Sequence, residues 1–198
     1  MNTKFIYWLL PFFFTTQVGQ AQSIDTTIKR LKFAQIKAYL QKAPKVSPNF
    51  KAGSPFDTLK FDRVIAYDFD GEGEDGIVSG KWGKFEGGYS SGVTRQKALS
   101  QYQVNVLTDL LSNRQVYDPY GGIPGCFFPH VGLVFTYQEK IVYAIDVCLI
   151  CNKLRAKPPI KASLGDGYVL AFSKMGYNNI VLLCRQLGFD YGKKKLKR

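Results

Sequence analysis

The chain has 198 residues, a formal net charge of +12, four cysteines and a single histidine. One apolar run near the N-terminus is too short for a comfortable membrane span, and no second long run follows, which argues against a polytopic membrane protein. A lone histidine without a carboxylate partner in sequence, and the lack of a G-x-S-x-G elbow, argue against a hydrolase triad.

Residues 1–21 read as a secretory signal peptide. Lys4 supplies the positive start, FIYWLLPFFF (5–14) the apolar stretch, and Gly19-Gln20-Ala21 the small residues that precede cleavage before Gln22. No cysteine sits just after the cleavage site, so a lipoprotein anchor is not indicated. The expected location is the periplasm or the outside of the cell. About 177 residues remain, enough for one domain with a sizeable core.

The next part, 22–60, reads as an N-terminal helix and a Pro-rich loop. Ile24, Ile28, Leu31, Ala34 or Ile36, and Tyr39 give a helical stripe over 23–42, with Ser23 or Asp25 as cap. APKVSPNFKAGSPF (43–56) then breaks it. From 61 to 190 the pattern is that of an α+β domain. FDRVIAYDF (61–69) alternates as a strand should, a Gly-rich acidic loop follows, and a short strand is expected near 76–82. KFEGGYSSGVT (84–94) gives no element. Residues 97–113 predict a helix whose apolar side is Leu99, Val106, Leu107, Leu110 and Leu111, with Ser100 and Gln103 spaced as a capping box.

Two stripes of period 2 then predict a hairpin. Val131, Leu133, Phe135 and Tyr137 share one face of the first strand, and Ile141, Tyr143, Ile145 and Val147 one face of the second. A buried face fixes register, because a one-residue slip would turn a stripe to solvent. Leu133 should therefore pair with Ile145 and Phe135 with Tyr143, leaving Gln138, Glu139 and Lys140 as the turn. Residues 152–167 read as a polar Pro-rich loop, 168–172 as a short strand, and 178–187 as a last helix closed by Gly188. Cys184 falls on that helix's apolar stripe with Ile180, Leu183 and Leu187, where a buried inert thiol is expected. Residues 191–198 form a basic tail. Strands and helices do not alternate strictly, which predicts a single α+β domain with a mainly antiparallel sheet and two or three packed helices.

The hairpin register brings Cys126, His130, Cys148 and Cys151 to its open end, with His130 opposite Cys148. In an exported chain the first expectation is a disulfide from Cys126 to Cys148 or to Cys151. The same four residues would also make a closed tetrahedral zinc site. A third use is thiol redox chemistry at Cys148 and Cys151, although little chain follows for a thioredoxin core. A weaker calcium candidate is Asp68, Asp70, Glu72 and Asp75 in an acidic glycine-rich turn, where Ser79 stands in place of the closing Glu. The basic clusters at 29–32, 153–161 and 193–198 suit a solubilising surface or attraction to an anionic envelope surface. No motif for sequence-specific nucleic-acid binding accompanies them.

In the order FDRVIAYDF, LSQYQVNVLTDLL, CFFPHVGLVF and IVYAIDVCLICN, residues 61–152 resemble a group of small exported Bacteroidota proteins that share a C-x-x-P-[HR] segment, a hairpin and a C-x-x-C. The resemblance implies that Cys126, Pro129, His130, Cys148 and Cys151 act as one unit. Where similar sequences carry Arg in place of His130, the resemblance speaks against an obligatory metal site of three cysteines and one histidine. It carries no reaction or substrate. The expected role is an exported binding or structural envelope protein, with zinc binding or thiol exchange as the alternative.

Overall fold

The computed structural model describes residues 29–70, 76–78, 88–90, 92–123, 125–166 and 168–193. The signal segment, Glu72, Asp75 and the end of the basic tail lie outside these residues. In chain order the elements are α1 (Phe33–Lys42), β1 (Arg63–Phe69), β2 (Val93–Ala98), α2 (Gln101–Ser112), β3 (Tyr117–Asp118), β4 (Val131–Tyr137), β5 (Lys140–Cys148), β6 (Lys153–Ala156), β7 (Ala171–Phe172) and α3 (Lys174–Leu187). Five strands form one sheet in the order β2-β1-β4-β5-β6, with every pairing antiparallel. β3 and β7 make a separate antiparallel pair. The domain is α+β, as the pattern predicts.

The β4–β5 hairpin has the expected register, with Leu133 paired to Ile145 and Phe135 to Tyr143. The turn differs. Tyr137 pairs with Lys140, so the loop is the two residues Gln138 and Glu139, with φ of 50° and 65°. Positive φ at both positions matches the right-handed twist of the flanking strands. The extra residue is taken up as a bulge at Val142, since Phe135 faces Tyr143 while Thr136 faces Ile141. The bulge reverses the faces beyond it. Val142 packs toward the cluster that holds Tyr143, and Ile141 turns to the opposite side.

Both faces of the sheet are covered, so the hairpin is not half-buried. Val131, Leu133, Phe135, Tyr143, Ile145 and Val147 join the α2 and α3 side chains in the larger core. On the other face Ile65, Tyr67, Phe69, Val134 and Ala144 pack under Ile36 and Leu40 of α1 and against Ile77. Gly132 leaves the space that Ile77 fills, and a Cβ there would overlap the Ile77 side chain. The Pro-rich loop is part of the core as well, because Phe56 is fully buried between Phe135 and Tyr143.

Helix boundaries move from the expected ones for identifiable reasons. Residues 29–32 are not helical, and the Leu31 N–H instead bonds Val93 O on the β2 edge at 2.6 Å. Helix α2 starts at Gln101 because residues 93–98 are strand. Ser100 is its cap: its Oγ accepts from Gln103 N at 3.3 Å, and Gln103 Oε1 accepts from Ser100 N at 3.0 Å. Its buried side is Val104, Leu107, Thr108 and Leu111, while Val106 is exposed. Ser100→Ala is expected to cost about 1 kcal/mol in urea unfolding, and Ser100→Asp close to nothing, since aspartate caps equally well. An alanine variant as stable as the parent would deny the cap that role. Helix α3 begins at Lys174, a turn earlier than the apolar stripe indicates, and ends on Gly188 in the left-handed region.

Asp146 of β5 is buried and accepts from Ile77 N at 2.7 Å, which ties the segment around Ile77 to the sheet. Burial pushes its carboxyl up to about 6, partly opposed by the Ile77 N–H and Arg155. Folding therefore favours the protonated form. The stabilisation this group contributes is full below about pH 4, where the unfolded carboxyl also protonates, and it is lost as pH rises through about 6. Asp68 is raised for the same first cause, burial, and slopes the same way. Asp146→Asn keeps the acceptor for Ile77 and removes the titration. Between pH 4.5 and 7, its unfolding midpoint is expected to fall less than the parent's. Equal slopes would assign the pH dependence elsewhere.

Candidate functional site

Strand β5 ends at Cys148, and the chain turns through residues 149–152 before β6 pairs back, with Lys153 opposite Cys148. This turn brings Cys151 over the strand end, where its N–H points to Cys148 Sγ at 3.1 Å. Asn152 completes the turn with φ of 60°, a conformation asparagine adopts more readily than branched residues. Its buried side-chain amide donates to Gly121 O at 2.8 Å and Phe172 O at 2.7 Å, and its backbone carbonyl accepts from Phe172 N at 3.0 Å. One asparagine thus joins the turn, β7 and the loop that leads to Cys126. The sequence signal for it is an Asn directly after a C-x2-C at a strand end, a residue type that turns the chain and satisfies neighbouring carbonyls.

The loop from Pro119 to His130 delivers Cys126. Ile123 N donates to Cys151 O at 3.2 Å and His130 N to Val147 O at 3.1 Å, so the loop is held at both ends of the corner. Cys126 and Cys151 have Cα atoms 5.6 Å apart, and Cys148 and Cys151 5.3 Å, both within the span of a disulfide. The structure places Cys151 in bonding contact with each of the other two. A sulfur carries one S–S bond, so the two pairings of Cys151 exclude each other and at most one can form at a time. The three sulfurs lie within 4.8 Å of one another. Cys148 and Cys151 are fully buried and Cys126 half-buried, with Phe127 packed beside them.

His130 does not join them. Its Nδ1 lies 3.3 Å from Phe69 O and 3.6 Å from Asp70 Oδ1, and its ring is 5.2 Å from that of Tyr191. Strand β4 has β1 on one edge and β5 on the other, and the imidazole takes the polar partners on the β1 side. The closed site of three cysteines and one histidine is therefore corrected to a trio of cysteines. Among the described residues this trio is the one group of three or more cysteine, histidine or carboxylate side chains close enough to share a metal ion. Asp68 and Asp70 form no such group. Asp68 accepts from Asp190 N at 3.0 Å and lies 3.7 Å from Arg95, which places it in the packing of β1 against the end of α3. Cys184 is buried on α3, as expected, and burial pushes its thiol up to about 12, so it stays protonated and inert.

Beside the corner lies a cavity of about 330 Å³, lined by Cys126, Phe127, Lys153, Arg155, Tyr168 and Val169 among others. The Arg155 guanidinium sits 4.0 Å from the centre of the Phe127 ring. Lys153 and Arg155, read as part of a solvated basic run, in fact belong to strand β6. Leu154 between them is buried, a period-2 pattern with a single apolar residue. No helix among the described residues is long and apolar enough to cross a membrane. No protein-family model matches the chain, and neither a curated protein nor a solved structure shows significant similarity to it.

Proposed function

We propose that the chain is an exported binding or structural protein of the cell envelope, and that its cysteine corner is a covalent tether for the 119–130 loop. The observation that carries this reading is the juxtaposition of Cys126, from that loop, with the buried Cys151 at the β5–β6 turn. Two features support export: the apolar run at 5–14 followed by Gly19-Gln20-Ala21, and cysteines held within disulfide span, an arrangement suited to an oxidising compartment. The bridge spans 25 residues of sequence. Loop closure of that length constrains the unfolded chain far more than a three-residue one, and is worth roughly 3 kcal/mol.

Intact mass of the secreted protein without reductant, together with metal analysis, tests the tether. One disulfide per chain and no bound metal is the expected result. Export is tested by expressing the chain with and without residues 1–21; retention of the full-length chain in the cytoplasm, uncleaved, would refute it.

The convergence of three sulfurs favours a second reading as a metal centre. Three thiolates would occupy three corners of a zinc tetrahedron and leave the fourth for a water or another ligand. One zinc per chain with all thiols free, and loss of stability on chelation, would establish this reading in place of the tether.

A further inference from the structure

We propose that the corner is an exchanging disulfide, in which Cys151 can pair with either Cys126 or Cys148, and that the released Cys126 reacts in the adjoining cavity with small disulfides that carry carboxylates. The proposal extends the tether reading and rests on its premise that the corner holds a single disulfide.

A tether needs two cysteines, and this corner contains three. Cys151 is within disulfide span of both others, and all three sulfurs are mutually close. Exchange then needs no large movement. Cys148 loses its proton and its thiolate attacks Cys151 Sγ. The Cys148–Cys151 bond forms, the Cys126–Cys151 bond breaks, and the electron pair leaves on Cys126 Sγ. The step is an isomerisation with no net oxidation. The loop stays in place afterwards, because Ile123 N still bonds Cys151 O and Asn152 still bonds Gly121 O.

The three cysteines differ in access. Cys148 and Cys151 are closed to solvent, whereas Cys126 is half-buried and lines the 330 Å³ cavity. Lys153 and Arg155 line the same cavity, and Tyr168 and Phe127 supply apolar wall. Neighbouring cations favour the thiolate of a cysteine and attract an anionic reagent. The Cys126 thiolate attacks one sulfur of the external disulfide, forms a mixed disulfide with it, and expels the other half as a thiolate. That leaving thiolate takes up the proton that Cys148 lost in the exchange. The external disulfide is the oxidant, and the Cys148–Cys151 bond is unchanged.

The test uses the oxidised, native protein carrying Cys184→Ser, so that the one remaining thiol belongs to the corner. The probes are 5,5′-dithiobis(2-nitrobenzoate), which bears two carboxylates, and neutral 4,4′-dithiodipyridine, each referenced to its rate with free cysteine. The expected result is one adduct per chain, mapped to Cys126, with the anionic probe preferred by about tenfold. Lys153→Gln with Arg155→Gln should abolish the preference while the neutral probe still reacts. Cys148→Ser keeps the longer bridge and cannot exchange, so it should show no reactive thiol. An adduct on Cys148, or a thiol that reacts only in denaturant, would overturn the exchange. Equal relative rates for the two probes would overturn the anionic class. A chain that arrives fully reduced, by mass, would instead remove the tether reading itself.

Discussion

Cys151→Ser is expected to lower the unfolding free energy of the oxidised protein by about 3 kcal/mol, because it removes both pairings that the structure places within disulfide span. The three cysteines should not be equivalent. Cys126→Ser leaves Cys148 and Cys151 able to pair, but their bridge closes a loop between residues only three apart. It should therefore recover only part of the loss, since loop-closure stabilisation grows with the length enclosed. Cys148→Ser keeps the bridge across 25 residues and should be the mildest of the three. The measurement is urea unfolding without reductant, followed by the same series in reductant, where the differences should shrink to those of ordinary buried substitutions. Cys184→Ser, on the apolar side of α3, should show such a modest cost in both conditions. If Cys148→Ser proved the most damaging, the stabilising bridge would not be the one to Cys126.

Phe135→Ala is expected to cost about 3–5 kcal/mol, the range for truncating a fully buried phenylalanine. Phe135 lies at the middle of β4 with no exposed surface, and its ring meets Phe61 edge-on at 5.1 Å, Tyr143 at 5.6 Å and Phe56 at 5.8 Å. These three neighbours come from two loop positions and β5, so a cavity there would have no single element able to move in and fill it. For a chain of this size the loss corresponds to a fall in Tm of about 10 °C. Tyr137→Ala, two residues along, is the control. It shares the same predicted stripe but is 41 % exposed, and its cost should stay within about 0.5 kcal/mol. A Phe135→Ala variant that unfolds near the parent would show that the aromatic cluster is not the centre of the core.

The contrast between Phe135 and Tyr137 marks where sequence patterning stops. Alternation told which residues share a face, but the face ends where the neighbouring chain ends, and that is a property of the whole sheet. The bulge at Val142 is a similar case. The two stripes are compatible with a three-residue turn and no bulge, and a preference for positive φ at Gln138 and Glu139 cannot be read from those residue types. The cost of φ above zero is met by the twist of a sheet already held in register on both sides.

Two strands escaped notice for a common reason. VTRQKA and KLRA, which form β2 and β6, are the two edges of the sheet. Edge strands have one neighbour, more exposed side chains and a polar composition that limits pairing with other molecules, so their hydrophobic alternation is faint. The central strands β1 and β4 are strongly apolar because they are buried on both faces. Even there, the second buried face was hidden. Gly132 reads as a weak strand residue until Ile77 is seen filling the place of its side chain.

Short-range chemistry in this chain is self-contained, and the sequence by itself determined what depends on it. The Leu133–Ile145 register follows from two stripes with a period of 2, the start of α2 cap from Ser100 and Gln103, the end of α3 from Gly188, and the burial of Cys184 from its position on a helical stripe. It also placed Cys126, Cys148 and Cys151 at one end of the hairpin. Only the tertiary structure decided which of the converging residues meet. His130 is opposite Cys148 by register, yet β1 lies along the other edge of β4 and offers the imidazole a carbonyl and a carboxylate. Cys126 reaches Cys151 because Asn152 and Ile123 hold its loop by hydrogen bonds, and β6 turns Lys153 and Arg155 toward the cavity beside it. Each of these outcomes depends on contacts between segments distant in sequence, and the energies that select among them arise only once those segments are packed together.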